Sequence, residues 1–383
     1  MLKRIFGLFI FVLGLTASLG FTEEIDEDHR AWQHGIDLIR VGDKLLLVWG
    51  SPGNPPHPNV GGDWQHDVYY AWLNTLTIQN DSTFEPRILV SQPEAQEPPS
   101  VAINSSGTIL MTSEDGNGGI NQHAGLWDSS LRVLRKYPFT IRHGGHSGHV
   151  AAMGDQFLVA YDEGWVDGGG WRGLGTGETV YARIVDNYGK RKREIKLTPE
   201  RDLDPRDGWP LVAGSDRNWL VVWQRYPELT LQSALVNASG NVAKRRQIIG
   251  GLPVRYAYDV EYAPQLALYV VAGSSGEGGF VALINLTGDI VSIQRELPPM
   301  MSESRIVLGW DGSQLIGVYP VRPTGVAVVH LSADGVELAK VINHPYTWDY
   351  SGTTGMFVAP ERVLFATLST TGLHLISINL RDR

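Results

Sequence analysis

The chain contains no cysteine, so neither disulfides nor a lipidated N-terminal cysteine contributes to it, and its stability must come from packing. Charge is also scarce. Only 19% of residues are Asp, Glu, Lys or Arg, and the net charge of −9 gives no overall attraction to nucleic acid. No recurrence of apolar residues at the helical period runs through the chain, which excludes a helical solenoid. No apolar run reaches the roughly 18 residues that a membrane helix needs.

What is present suits many short strands. The hydrophobic fraction of 43% supports a real core, and the 44 Gly, 12 Trp and 14 Tyr fit tight turns and aromatic strand faces. The first 20 residues read as a signal peptide. Lys3 and Arg4 precede the apolar stretch from Ile5 to Leu15, and the small residues Ala17, Ser18 and Gly20 follow. A secreted or periplasmic protein is expected, with no membrane association after cleavage, and residues 21–383 form one domain. Triplets at Asn80, Asn104, Asn237 and Asn285 would accept glycans only in a eukaryotic source.

A repeat organises that domain. The turns Asn187-Tyr188-Gly189, Ala238-Ser239-Gly240, Leu286-Thr287-Gly288 and Ala333-Asp334-Gly335 lie 47 to 51 residues apart, each between two apolar runs. This is the period of a propeller blade. The pattern predicts an all-β, seven-bladed β-propeller of four-stranded antiparallel blades near 34–98, 99–145, 146–206, 207–255, 256–302, 303–350 and 351 onward. Residues 25–33 would supply the strand that the last blade lacks; six or eight blades are the alternatives. Short turns such as Gly42-Asp43, Gly154-Asp155 and Asp311-Gly312 fall on one side of each blade. The long segments Ser51 to His66, Tyr137 to Gly148, Trp165 to Glu178 and Pro199 to Trp209 fall on the other, where function is expected.

That side carries the densest chemistry in Arg142-His143-Gly144-Gly145-His146-Ser147-Gly148-His149. His123 should join it from the preceding blade. The bland reading is histidines that merely satisfy backbone groups; four on one rim beside glycines favour a ligand site. Zinc on His143-x-x-His146-x-x-His149 is a rival, although no strong zinc signature is matched, and Glu114-Asp115-Gly116-Asn117 lacks an EF-hand pattern for calcium. No cofactor is therefore expected, with a structural calcium or zinc ion as the alternative. Arg225, Arg206 and Arg142, with Arg172 and Arg255, would make a cationic patch on an acidic protein, suited to a carboxylated or sulfated ligand. Trp165, Trp209, Tyr226 and Tyr258 are placed to stack on sugars, or else belong to the core.

The runs Glu114-Asp115-Gly116-Asn117, Gly144 to Ala152, Glu163 to Gly170 and Trp223-Gln224-Arg225 resemble those of bacterial seven-bladed-propeller polysaccharide lyases that cleave ulvan, a sulfated uronate polysaccharide. The resemblance spans most of the mature chain. Sialidase-type Asp-boxes are missing. The resemblance implies a polysaccharide lyase acting by β-elimination on an anionic glycan, and a monomer is expected. Arg225, with Arg206 in reserve, would neutralise the uronate carboxylate. His123, His143 and His146, with Tyr226 or Tyr258, would act as base and acid. Arg142, His149, Arg206, Trp209, Trp165 and Tyr258 would bind substrate. Trp209 stands where the family pattern has a tyrosine, which leaves the acid open. A non-catalytic glycan-binding propeller is the second expectation. A glycoside hydrolase using two of Asp115, Glu163, Asp167 and Asp202 is the third.

Overall fold

The repeated turns owe their form to a side chain that caps its own loop. In the turn after Asp186, its Oδ1 accepts the amides of Tyr188 and Lys190 at 3.0 and 2.8 Å. Asn237 does the same for Ser239 and Asn241, and Asn285 for Thr287 and Asp289. An Asx carbonyl that binds backbone two and four residues ahead closes a hairpin without help from elsewhere. Gly189, Gly240 and Gly288 follow at φ near +80°, a region closed to most other residues.

A computed structural model describes residues 35–51, 66–75, 84–116, 119–164, 177–199, 206–252, 257–321, 324–348, 352–369 and 372–381. These hairpins link strands into seven antiparallel meanders. Blade 1 is β1 (Ile36–Val41), β2 (Lys44–Ser51), β3 (Asp67–Asn74) and β4 (Arg87–Val90). Blade 2 is β5 (Gln96–Ile103), β6 (Ile109–Asp115), β7 (Asn121–Trp127) and β8 (Val133–His143). Blade 3 is β9 (Gly145–Met153), β10 (Gln156–Glu163), β11 (Thr179–Asp186) and β12 (Arg191–Lys196). Blade 4 is β13 (Arg206–Gly214), β14 (Asn218–Tyr226), β15 (Thr230–Asn237) and β16 (Val242–Gly250). Blade 5 is β17 (Tyr258–Ala263), β18 (Leu268–Ser275), β19 (Gly278–Asn285) and β20 (Ile290–Leu297). Blade 6 is β21 (Val307–Trp310), β22 (Leu315–Pro320), β23 (Thr324–Leu331) and β24 (Val336–Thr347). Blade 7 shows β25 (Thr353–Ala359), β26 (Arg362–Ser369) and β27 (Gly372–Asn379). The expected closing strand at 25–33 and the signal peptide lie outside the described residues.

The first strand of every blade lies against the first strand of the next, and β25 lies against β1, so the ring closes at seven. The protein is an all-β, seven-bladed propeller without helices among its described residues.

Strand alternation decides the packing. Seven separate apolar cores fill the seven clefts between neighbouring blades. Successive residues of one strand feed the cores on its two sides. In β14, Trp219, Val221 and Trp223 face blade 3, while Leu220 and Val222 face blade 5. Polar straps reinforce the ring at its centre. Asp37 Oδ2 accepts the Val101 amide at 2.9 Å, Ser100 Oγ accepts that of Val150 at 3.2 Å, and Asp259 Oδ2 accepts that of Ile306 at 3.0 Å.

One expected loop proves to be regular structure. The segment from Tyr137 to Gly148 is the end of β8, a one-residue turn at Gly144 (φ +76°) and the start of β9.

Candidate functional site

The face opposite the short turns carries three imidazole–carboxylate pairs. Alternation separates them. In β6, Leu110 packs toward blade 3 while Ile109 and Met111 pack toward blade 1. The same parity sends Glu114 toward blade 3 and Asp115 toward blade 1.

On the blade-3 side, His146 Nε2 lies 3.2 Å from Glu114 Oε2, which also accepts the Ser147 amide at 3.2 Å. His146 Nδ1 is 2.6 Å from Ser147 Oγ and 3.9 Å from Asp162 Oδ1. The ring stands perpendicular to the Trp209 indole, with centroids 6.1 Å apart. Trp209 reaches this place because β13 bulges between Gly208 and Leu211, with Trp209 at φ +63° and its amide donated to Asp162 Oδ2 at 3.0 Å. His146 is thus gripped by blades 2, 3 and 4 together. Its side chain is 10% exposed and that of Glu114 18%.

On the blade-1 side, His123 lies inside β7, where its Nδ1 is 3.5 Å from Asp115 Oδ2 and its ring meets Tyr137 edge-on. The Tyr137 hydroxyl donates to Asp115 at 2.9 Å, and burial followed by the Asp115 charge pushes its pKa above the ordinary value. His123 and His146 therefore occupy opposite faces of blade 2. The expected pairing of their imidazoles fails, because a shift of one residue along a strand reverses the face. The third pair, His66 Nδ1 with Glu97 Oε2, joins blades 1 and 2. Sequence reasoning missed it, although the imidazole in Gln65-His66-Asp67 ends a long loop as its counterparts do.

The arginines correct a larger expectation. Arg225 does not open onto a mouth. It is 2% exposed, and its Nε and Nη2 donate to the two oxygens of Asp207, both at 2.7 Å. A guanidinium so occupied offers nothing to a substrate carboxylate. Arg206, opposite Tyr226 at the rim end of β13, is half-buried, and its buried Nη1 has no hydrogen-bond partner among the described residues. Tyr226 is likewise half-buried. Arg142 is held by Glu163 and, at 3.3 Å, by Glu194. Tyr258 is not a rim aromatic either: it is 1% exposed and donates to the Trp209 carbonyl at 2.5 Å, tying blade 5 to blade 4. Trp165, Trp171, Asp167, Arg172, Asp202, Arg255 and Tyr256 lie outside the described residues.

The three spaced histidines do not converge on a metal. His143 is exposed and bonded to Asn121 at 2.9 Å, His146 sits between the blades, and His149 lines the central channel. No group of three His, Asp or Glu among the described residues is arranged to hold an ion.

That channel, a cavity of about 540 Å³, runs along the first strands toward the short-turn face, past Arg40, Pro264 and Gln265. Glu261 projects into it and is exposed to the channel's water, yet the surrounding ring and then the Asp259 charge disfavour its carboxylate and raise its pKa to about 8. Asp259 is itself paired with Arg305 at 2.7 Å. His149 is pushed down to about 3 by burial, then by the Arg305 charge. It is a neutral group whose Nδ1–H donates to the Ser147 carbonyl at 3.1 Å, not a rim ligand.

No protein-family model matches the chain, and no curated protein sequence matches it. Among solved structures, a protein from Lactobacillus plantarum superposes with a TM-score of 0.55 at 14% identity, over 88% of this chain and 93% of that one. A putative 6-phosphogluconolactonase from Bacteroides fragilis gives 0.51 at 13% identity, over 88% and 92%. A chain of the mitotic checkpoint complex gives 0.54 at 10% identity, over 92% and 91%. Likeness at such identities is one of fold, and what it establishes is a seven-bladed β-propeller.

Proposed function

We propose that the protein is an exported enzyme that cleaves an anionic, uronate-containing polysaccharide of the ulvan type by β-elimination, at the rim where blades 2, 3 and 4 meet. The observation that carries this reading is His146, a ring with a carboxylate at Nε2 and an indole across its face, beside the strand that brings Arg206 to the same end of blade 4. Arg206, half-buried at the rim end of β13, replaces Arg225 as the group that meets the uronate carboxylate. Neutralising that carboxylate acidifies the C5 proton. The C5–H bond breaks to the imidazole, the electron pair becomes the C4=C5 double bond, and the C4–O4 bond breaks. The proton returns through the His146–Glu114 pair to the departing O4. Trp209 packs behind the imidazole and takes no proton.

The test is incubation with a panel of uronate polysaccharides, read by the ultraviolet absorbance of new unsaturated ends. Turnover by the parent, lowered about 10²–10⁴-fold in His146→Ala, is expected. Binding without product would make the protein a glycan-binding propeller. Reducing ends without unsaturation would make it a hydrolase. Either result overturns the lyase reading.

A further inference from the structure

The outermost strands of the seven blades are not alike. Those of blades 2, 3 and 4 are basic: β8 carries three Lys or Arg, β12 four and β16 three, against the single acid Glu194. Those of blades 5 and 6 balance, with Arg295 against Glu296 and Lys340 against Glu337; β4 of blade 1 has Arg87 alone, paired with Glu85 just before the strand, and β27, the outermost described strand of blade 7, has no charge. On a chain of net charge −9, this confines a positive band to one side of the ring.

Two features keep the band both continuous and charged. Three of its arginines reach across the clefts to carbonyls, whereas Arg142 is paired with Glu163 and Glu194, and Lys244 and Arg246 share Asp289. Arg135 donates to the Gly189 carbonyl and Arg191 to that of Thr140, which joins blades 2 and 3. Arg245 donates to the carbonyls of Leu197 at 2.7 Å and Lys196 at 3.2 Å, which joins blades 3 and 4. A carbonyl fixes a guanidinium in place without cancelling its charge, unlike the carboxylates that hold Arg225 and Arg305. Between these anchors Lys136, Lys190, Lys192, Arg193 and Lys196 are exposed and make no ion pair among the described residues. Tyr188, 80% exposed, stands in the turn between β11 and β12 beside Arg135's anchor at Gly189.

We propose that this band is a second binding surface, which docks a linear anionic polysaccharide along the outer wall of blades 2 to 4 while Tyr188 stacks on a sugar ring. The charge pattern asks for a polyanion, and the wall's curvature favours a flexible chain, which can follow three blades, over a flat lipid surface, which touches a convex wall along one line. The choice of polysaccharide over nucleic acid rests on the function proposed above; the band itself does not.

The test measures binding of fluorescein-labelled heparin, a sulfated uronate polymer, to the purified protein by anisotropy over a salt series. Lys192→Ser/Arg193→Ser/Lys196→Ser should weaken binding about tenfold at low salt and flatten the salt dependence. Arg87→Ser/Arg295→Ser, on the balanced side, should change affinity by less than about twofold. The triple variant should still cleave short oligosaccharides, and His146→Ala should still bind heparin, so the band and the rim fail separately. Equal losses in the two charge variants, or no binding by the parent, would overturn the proposal. So would binding of an oligo-dT strand or of phosphatidylglycerol vesicles that matches or exceeds heparin.

Discussion

The channel along the axis and the rim of blades 2 to 4 both bury charge, but they spend it differently. In the channel, Asp37 and Asp259 accept amides of the neighbouring blade, and Arg305 closes on Asp259. Their partners are backbone groups that cannot leave, so these charges act as joints of the ring. At the rim, Glu114 and Asp115 face imidazoles, groups that give and take protons, and Arg206 keeps one donor without a partner among the described residues. Chemistry is to be sought where charge is held by something that can let go.

The largest expected effect tests which of these regimes Arg225 obeys. Although it sits at the rim end of β14, its bidentate contact with buried Asp207 makes it a joint. Arg225→Ala should cost about 3–5 kcal/mol in urea unfolding, because it strands Asp207, and a Met/Leu replacement of the pair should recover most of that. A variant of unchanged stability that had lost all turnover would break the comparison and return Arg225 to the substrate.

A smaller effect should appear as pH dependence in the channel, where Glu261 faces Asp259, Arg305 and Asp37. Its pKa is raised from 4.5 to about 8, so its contribution to stability is complete below pH 4.5 and is lost as pH rises through 8. His149, lowered from 6.5 to about 3, has the opposite sign: its contribution is complete above pH 6.5 and is lost as pH falls through 3. Unfolding midpoints across pH should fall less steeply on the alkaline side in Glu261→Gln, and less steeply on the acid side in His149→Gln. Unchanged slopes would mean that water in the channel screens Glu261 and His149 from the charges around them.

The fold was legible because its determinants are local. An Asx residue three before a glycine closes each outer hairpin from Asp186 to Asn285, and the spacing of these turns counts the blades. The site was legible only as a neighbourhood. That His146 and Glu114 belong together was hidden because they meet across a blade cleft, and the face on which each lies depends on parity within strands whose ends the sequence does not mark. Arg225 misled for the same reason: Asp207, the residue that occupies it, is directly opposite on the neighbouring strand, and nothing in Trp223-Gln224-Arg225 announces it. Tyr258 and Trp209 looked like sugar platforms because buried and exposed aromatics share one composition.

The smallest expected effect concerns Arg142, which lies between the two regimes. It is paired with two carboxylates like a joint, yet its side chain remains 33% exposed like a rim group. Glu163 and Glu194, at 29% and 23%, keep their own access to water, so removing the guanidinium strands neither of them. Glu194 also retains Arg183 at 2.8 Å and the Tyr161 hydroxyl at 2.7 Å. Arg142→Ala should therefore change the urea midpoint by less than about 1 kcal/mol. Turnover is the sharper measurement. A guanidinium already neutralised by two carboxylates has little attraction left for a uronate, so KM and kcat should both stay within about twofold. A several-fold rise in KM with unchanged kcat would show that Arg142 exchanges Glu163 for substrate, and the boundary between structural and functional charge would then have to be drawn one strand further from the axis.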